Sequence, residues 1–169
     1  MFKGILKIID RVSPPAPIYA HCDIPCGIYD PHNAQVAAHT VIRMVNLIHE
    51  LKPSSEDPDL EERKKIIHAV SRYTVVKEEH AEIVKKEIRI LWGDYFKPEH
   101  IEKFPQLHFL VFEIMKLASK ARQEINLEAG QQLLSKLQEF SEIFWKTKEK
   151  ETFRIKAPYP TEGDLVLPK

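Results

Sequence analysis

Apolar residues recur in alternating steps of four and three through most of this chain, and that spacing constrains the fold more than any other feature. Ala37, Val41, Met44, Ile48 and Leu51 form one stripe. Ile67, Val70, Thr74, Ala81, Val84, Ile88 and Leu91 form a longer second stripe, which Lys77 interrupts. Leu107, Val111, Ile114, Ala118 and Ala121 mark a third, and Leu133, Leu137, Phe140 and Phe144 a fourth. Side chains at this spacing share one face of an α-helix. Asp30-Pro31 supplies a cap and a favourable first residue for the first helix, and residues 52–58, with Pro53 and Pro58, read as a loop. No strand pattern competes. Four amphipathic helices with short connections predict an all-α, antiparallel up-and-down four-helix bundle. Pro158, Pro160, Gly163 and Pro168 predict an irregular C-terminal tail over about 151–169.

The 169 residues suffice for one domain with a real core. Lys plus Arg number 25 and Asp plus Glu 25, so there is no basic footprint for nucleic acid. No apolar run is long enough to span a bilayer, so no membrane partner is expected. Di-iron carboxylate bundles need Glu-x-x-His on two helices, a spacing that occurs nowhere here. His39, His49, His68, His80, His100 and His108 are scattered and read as ordinary surface or interior residues.

The run His21-Cys22-Asp23-Ile24-Pro25-Cys26-Gly27-Ile28-Tyr29-Asp30-Pro31 holds both cysteines. Pro25, Gly27 and Pro31 favour a compact loop over a helix. The two thiols by themselves leave several readings open: a disulfide, which a reducing cytoplasm disfavours, two small apolar residues, or metal ligands. A closed zinc site would need a second ligand pair, and none is visible.

Taken whole, the run resembles the N-terminal hook of the nickel superoxide dismutases, which begins His-Cys-Asp, places a second Cys four residues after the first, and continues Gly-x-Tyr-Asp-Pro. Leu91-Trp92-Gly93-Asp94-Tyr95-Phe96-Lys97-Pro98 is similar to a second segment of that family, and Phe144-Trp145 to a third. The resemblance implies that His21 begins the mature enzyme. Residues 1–20 would then be a propeptide, removed by a processing peptidase at the Ala20–His21 bond, and 21–169 the enzyme domain with its hook at 21–29. Lys3, Lys7, Asp10 and Arg11 break up the apolar stretch that an export signal needs, which points to the cytoplasm. Pro14, Pro15 and Pro17 suggest an extended approach to the scissile bond.

Cleavage would free the His21 amine. That amine, the Cys22 backbone nitrogen and the Cys22 thiolate could close two fused chelate rings, with the Cys26 thiolate as fourth donor. Such a tetragonal nitrogen-and-sulfur set suits nickel(II) or copper(II) rather than zinc, and thiolates tend to reduce copper(II). The His21 imidazole would be axial. The resemblance thus implies one nickel per subunit, cycling between Ni(II) and Ni(III) to convert superoxide into dioxygen and hydrogen peroxide. Asp23 would shape the hook, and Tyr29 and Tyr95 would lie near the open face of the metal. The family also implies a homohexamer of bundles. Its glutamate and arginine that hold the axial imidazole are replaced here by Ala37 and His80, which makes His80 the candidate substitute. The alternatives are a non-catalytic nickel-storage or metallochaperone bundle, and an assembly module whose cysteines are incidental.

Overall fold

The structure is a computed structural model describing residues 27–169. Residues 1–20, expected to be a propeptide, and 21–26, the first six residues of the expected hook, lie outside the described residues. In chain order the elements are α1 (His32–Glu50), α2 (Leu60–Ile90), a π-helical turn (Leu91–Tyr95), α3 (Pro98–Lys103), α4 (Leu107–Gln123), α5 (Leu127–Thr147), β1 (Thr152–Lys156) and β2 (Asp164–Pro168). The four long helices carry the four stripes. Their inward residues, among them Ala34, Ala38, Ile88, Leu107, Ile114, Ala118, Leu133, Leu137, Phe140 and Phe144, make one continuous core in which each is at most 1% exposed. Short connections leave consecutive long helices antiparallel. The start of α1, the end of α2, the start of α4 and the end of α5 therefore meet at one pole of the bundle.

Side-chain caps set the helix starts. The Asp59 carboxylate accepts from the Glu62 N–H at 2.8 Å to open α2, and the Asn126 amide oxygen accepts from the Ala129 N–H at 2.9 Å to open α5. Each satisfies a backbone donor that has no partner within the helix. The second cap explains why α5 begins well before Leu133, where its apolar stripe starts. Lys77, the break in the α2 stripe, is 1% exposed. Its ammonium donates to the carbonyls of Ala121 at 2.7 Å and Arg122 at 2.6 Å. Those carbonyls belong to the last turn of α4, which lacks helical donors and carries partial negative charge. Burial lowers the Lys77 pKa from the usual lysine value, with the nearby Glu78 charge opposing it.

The tail expected to be irregular is a β-hairpin. β1 and β2 pair antiparallel, with Thr152 opposite Pro168 and Lys156 opposite Asp164. The prolines and glycine that suggested irregularity sit in its connection or at its end. Pro158, Pro160 and Gly163 lie in the turn, which the Ala157 N–H closes on the Gly163 carbonyl at 2.9 Å, and Pro168 ends an edge strand, where its missing N–H is tolerated. A lone hairpin is marginal in water, and this one is held by the bundle. Leu165 and Val166 are buried. Gln35 of α1 donates its amide to the Val166 carbonyl at 3.1 Å and accepts the Val166 N–H at 2.8 Å, acting as a further strand. The Gln138 amide donates to the Asp164 carbonyl at 2.8 Å. At Gly163 an added Cβ would stand 2.8 Å from His39 Cε1 and 2.7 Å from Leu134 Cδ2, so only glycine lets the turn approach this closely.

His39 is buried beneath that turn, with Nδ1 2.7 Å from the Thr161 hydroxyl and its ring edge-on to Tyr159. Burial lowers its pKa from the ordinary 6.5, while the Asp164 carbonyl and charge oppose the shift. A depressed folded pKa means that the folded state favours the neutral ring. Its stabilising contribution is complete above pH 6.5 and is lost as pH falls through the lowered value. Melting temperature should therefore drop on acidification below about pH 6.5, and His39→Gln should flatten that slope. An identical slope in the variant would mean that His39 does not set this pH dependence.

Candidate metal centre at one pole of the bundle

The chain enters the described region at Gly27, whose φ of +79° is a left-handed conformation natural to glycine. Tyr29 follows two residues later. Asp30 then accepts the His32 N–H at 2.7 Å, fixing the entry into α1. On the opposing helix, α2 ends in the π-helical turn Leu91–Tyr95, whose wider winding changes the direction of the side chains that follow the helix. The two tyrosines meet at this pole: the Tyr29 and Tyr95 ring centroids are 5.5 Å apart, tilted by 52°.

Tyr95 is fixed from every side. Its ring lies 4.7 Å from Phe144 and 5.2 Å from Phe96, and stacks on His100 at 5.6 Å and 19°. Its hydroxyl is 2.7 Å from Thr147 Oγ1. Thr147 donates its single hydroxyl hydrogen to the Phe144 carbonyl at 2.6 Å, so the Tyr95 hydroxyl is the donor of the pair. The phenol oxygen keeps lone pairs with which to accept. Beside it the Lys148 ammonium donates to the Tyr29 carbonyl at 3.2 Å. His32 Nδ1, at the start of α1, is buried without a hydrogen-bond partner among the described residues.

Of the residues that the sequence singles out, Tyr29 and Tyr95 are brought together. His21, Cys22, Asp23 and Cys26 lie outside the described residues. Ala37 is buried in the α1 core face. The His80 Nδ1–H donates to the Val76 carbonyl of its own helix at 2.8 Å, which makes Nε2 the acceptor of that ring. Among the described residues, no group of three or more His, Cys, Asp or Glu side chains could hold a metal ion. Sequence reasoning missed Thr147, Lys148 and His100. The first two had a signal, since they lie within four residues of Phe144, at the end of α5 and its cap.

Fold and pole together define a helical-bundle protein with an aromatic cradle placed directly after a cysteine-bearing N-terminal segment. Residues 16–148 match the family model described as nickel-containing superoxide dismutase. The superoxide dismutase [Ni] of Streptomyces coelicolor is 38% identical over 137 residues, covering 81% of this chain and 95% of that protein. The Streptomyces seoulensis protein of the same name gives the same identity and coverage. The structure of native nickel superoxide dismutase superposes with a TM-score of 0.62 at 38% identity, covering 76% of this chain and 99% of that one. A structure of the nickel-containing enzyme with ligation corresponding to the oxidised state gives a TM-score of 0.64 at 37% identity, with the same coverage.

The chain belongs to the nickel-containing superoxide dismutase family. It is an oxidoreductase that dismutates superoxide, and its cofactor is nickel. The family match ends at residue 148, before β1 begins, so the hairpin lies beyond it.

The tyrosine anchor is open to a direct test. Thr147→Val leaves the Tyr95 hydroxyl without its acceptor and should cost about 1–3 kcal/mol in urea unfolding. Adding Tyr95→Phe removes the orphaned group, so the double variant should lose less than the sum of the two single losses. Strict additivity would show that the two hydroxyls are not coupled.

Proposed function

We propose that nickel is held by His21, Cys22 and Cys26 above the Tyr29–Tyr95 cradle, in a chain from which residues 1–20 have been cleaved. The observation that carries this reading is the convergence at 5.5 Å of Tyr95 with Tyr29, which lies three residues after Cys26 in the chain. The donor set fits the metal. Two thiolates, an amine and a deprotonated backbone nitrogen would give the soft, electron-rich donor set that nickel accepts. Both cysteines of the chain lie in this one segment. When bound, nickel supplies the one-electron chemistry by which one superoxide gives up an electron and a second takes it.

The chain's own residues do the rest. Cys22 and Cys26 set the donor strength, and Asp23 shapes the loop between them. The Tyr95 hydroxyl, committed as donor to Thr147, offers its oxygen as acceptor to a water or N–H above the cradle. The Tyr29 and Tyr95 rings narrow access to small molecules of the size of superoxide. Metal-bound imidazoles usually have their second nitrogen hydrogen-bonded. Ala37 supplies no such group, and His80, the substitute expected from the sequence, stands on α2 one turn from Lys77 and about three turns before Leu91.

The same reading takes the mature enzyme as a cytoplasmic homohexamer released by a processing peptidase acting at Ala20–His21. No helix among the described residues is long and apolar enough to cross a membrane. Apolar surface for subunit contact is present. Trp92, packed against His108, and Phe109 and Phe112 on α4 are 41%, 63% and 58% exposed. Exposed aromatics of this kind are typical of protein interfaces. A storage or metallochaperone role would use the same thiols, but the family match favours the enzyme.

Replacing Cys22 or Cys26 by Ser exchanges a thiolate for a weakly acidic hydroxyl. Dismutase activity should fall to background in either variant while the helical circular dichroism is retained. Wild-type activity in either one would eliminate this site.

A further inference from the structure

Lys148 follows the last helical residue of α5 and is its C-cap. A cation there is favoured by the partial negative charge of the helix end. This one is bound far more specifically than the helix end requires. Its ammonium stands 4.9 Å from the Phe144 ring centroid, 5.4 Å from Tyr95 and 5.6 Å from Trp145. It also donates to the Tyr29 carbonyl at 3.2 Å, from 119 residues away in sequence. Each ring face attracts the ammonium, and more strongly where water is excluded. The three faces therefore hold the ammonium in place even before it meets the carbonyl.

The consequence concerns the segment that precedes Tyr29. With its carbonyl pinned to α5, Cys26 can lie no more than roughly 10 Å away, because three residues span at most about 3.3–3.6 Å each. We propose that Lys148 is a positioning residue for the nickel site: it seats the hook on the bundle by fixing the backbone where the hook ends, next to the tyrosine cradle. This inference rests on the hook reading given above. Pre-ordering that backbone lowers the entropy cost of closing the loop around the metal, and the effect should appear as slower loss of nickel.

The test uses mature nickel-loaded enzyme challenged with excess chelator. Lys148→Met keeps the aliphatic stem but loses the donor and the charge. It should release nickel about tenfold faster than wild type and alter the electron paramagnetic spectrum of the oxidised metal. Lys148→Arg, which can both donate and stack on aromatic faces, should restore slow release. An unchanged release rate and spectrum in Lys148→Met would overturn the proposal. Should Lys148→Met also lower the melting temperature, Lys148→Arg decides: wild-type release supports the role and methionine-like release contradicts it. The hook reading fails separately, if the wild-type mature enzyme shows no nickel–thiolate charge-transfer absorption.

Discussion

Phe140 and Phe144 lie fully buried on the inward face of α5, and the packing of Phe96 and Tyr95 against them joins the bundle core to the pole where the site is placed. Truncating a buried phenylalanine of this kind costs about 3–5 kcal/mol, because the ring's burial is forfeited and the core closes only in part over the cavity it leaves. The π-helical turn, the orientation of Tyr95 and its partner Thr147 all depend on that packing. Tyr29 is held in turn by Tyr95 and by Lys148. The cradle is therefore an extension of the hydrophobic core to the surface. It is built on rigid elements, at the pole where the described chain begins.

Two lysines sit at the ends of two helices, α4 and α5, and they show how the bundle treats charge. Lys77 is buried at the far pole and satisfies the terminal carbonyls of α4. Lys148 lies at the site pole, where aromatic faces surround it. The first closes the frayed end of a helix inside the core. The second links the end of α5 to a backbone carbonyl in the segment leading from the hook. The ion pairs at the surface, such as Arg89–Glu82 and Arg122–Glu82, are solvent-exposed and contribute little by comparison.

The helices were legible because their signal is local: each stripe repeats every three or four residues, and burial follows it except over the first half of α2, where Ile67 of the stripe is 66% exposed. The site residues in the described region were legible for a different reason, the resemblance carried by Tyr29 and by the segment around Tyr95. The hairpin was hidden because its stability is not local. Thr152–Lys156 leaves most of its side chains exposed, and β2 is held by Gln35, which lies 131 residues away. Pro158, Pro160 and Gly163 carry the turn signal correctly, but nothing nearby shows that strands flank them. Lys77 was visible only as a defect in a pattern, since its partners at the end of α4 are distant in sequence. Lys148 and Thr147 were hidden in the same way, their meaning set by Tyr29 and Tyr95 across the pole.

The central claim is that nickel binds a chain whose first residue is His21. Intact mass and metal content of the protein purified from the cell that makes it test this together. The expected result is a mass corresponding to residues 21–169 with about one nickel per chain. Active, nickel-loaded protein that still carries residues 1–20 would contradict it, because the amine proposed as a ligand would then be a peptide bond.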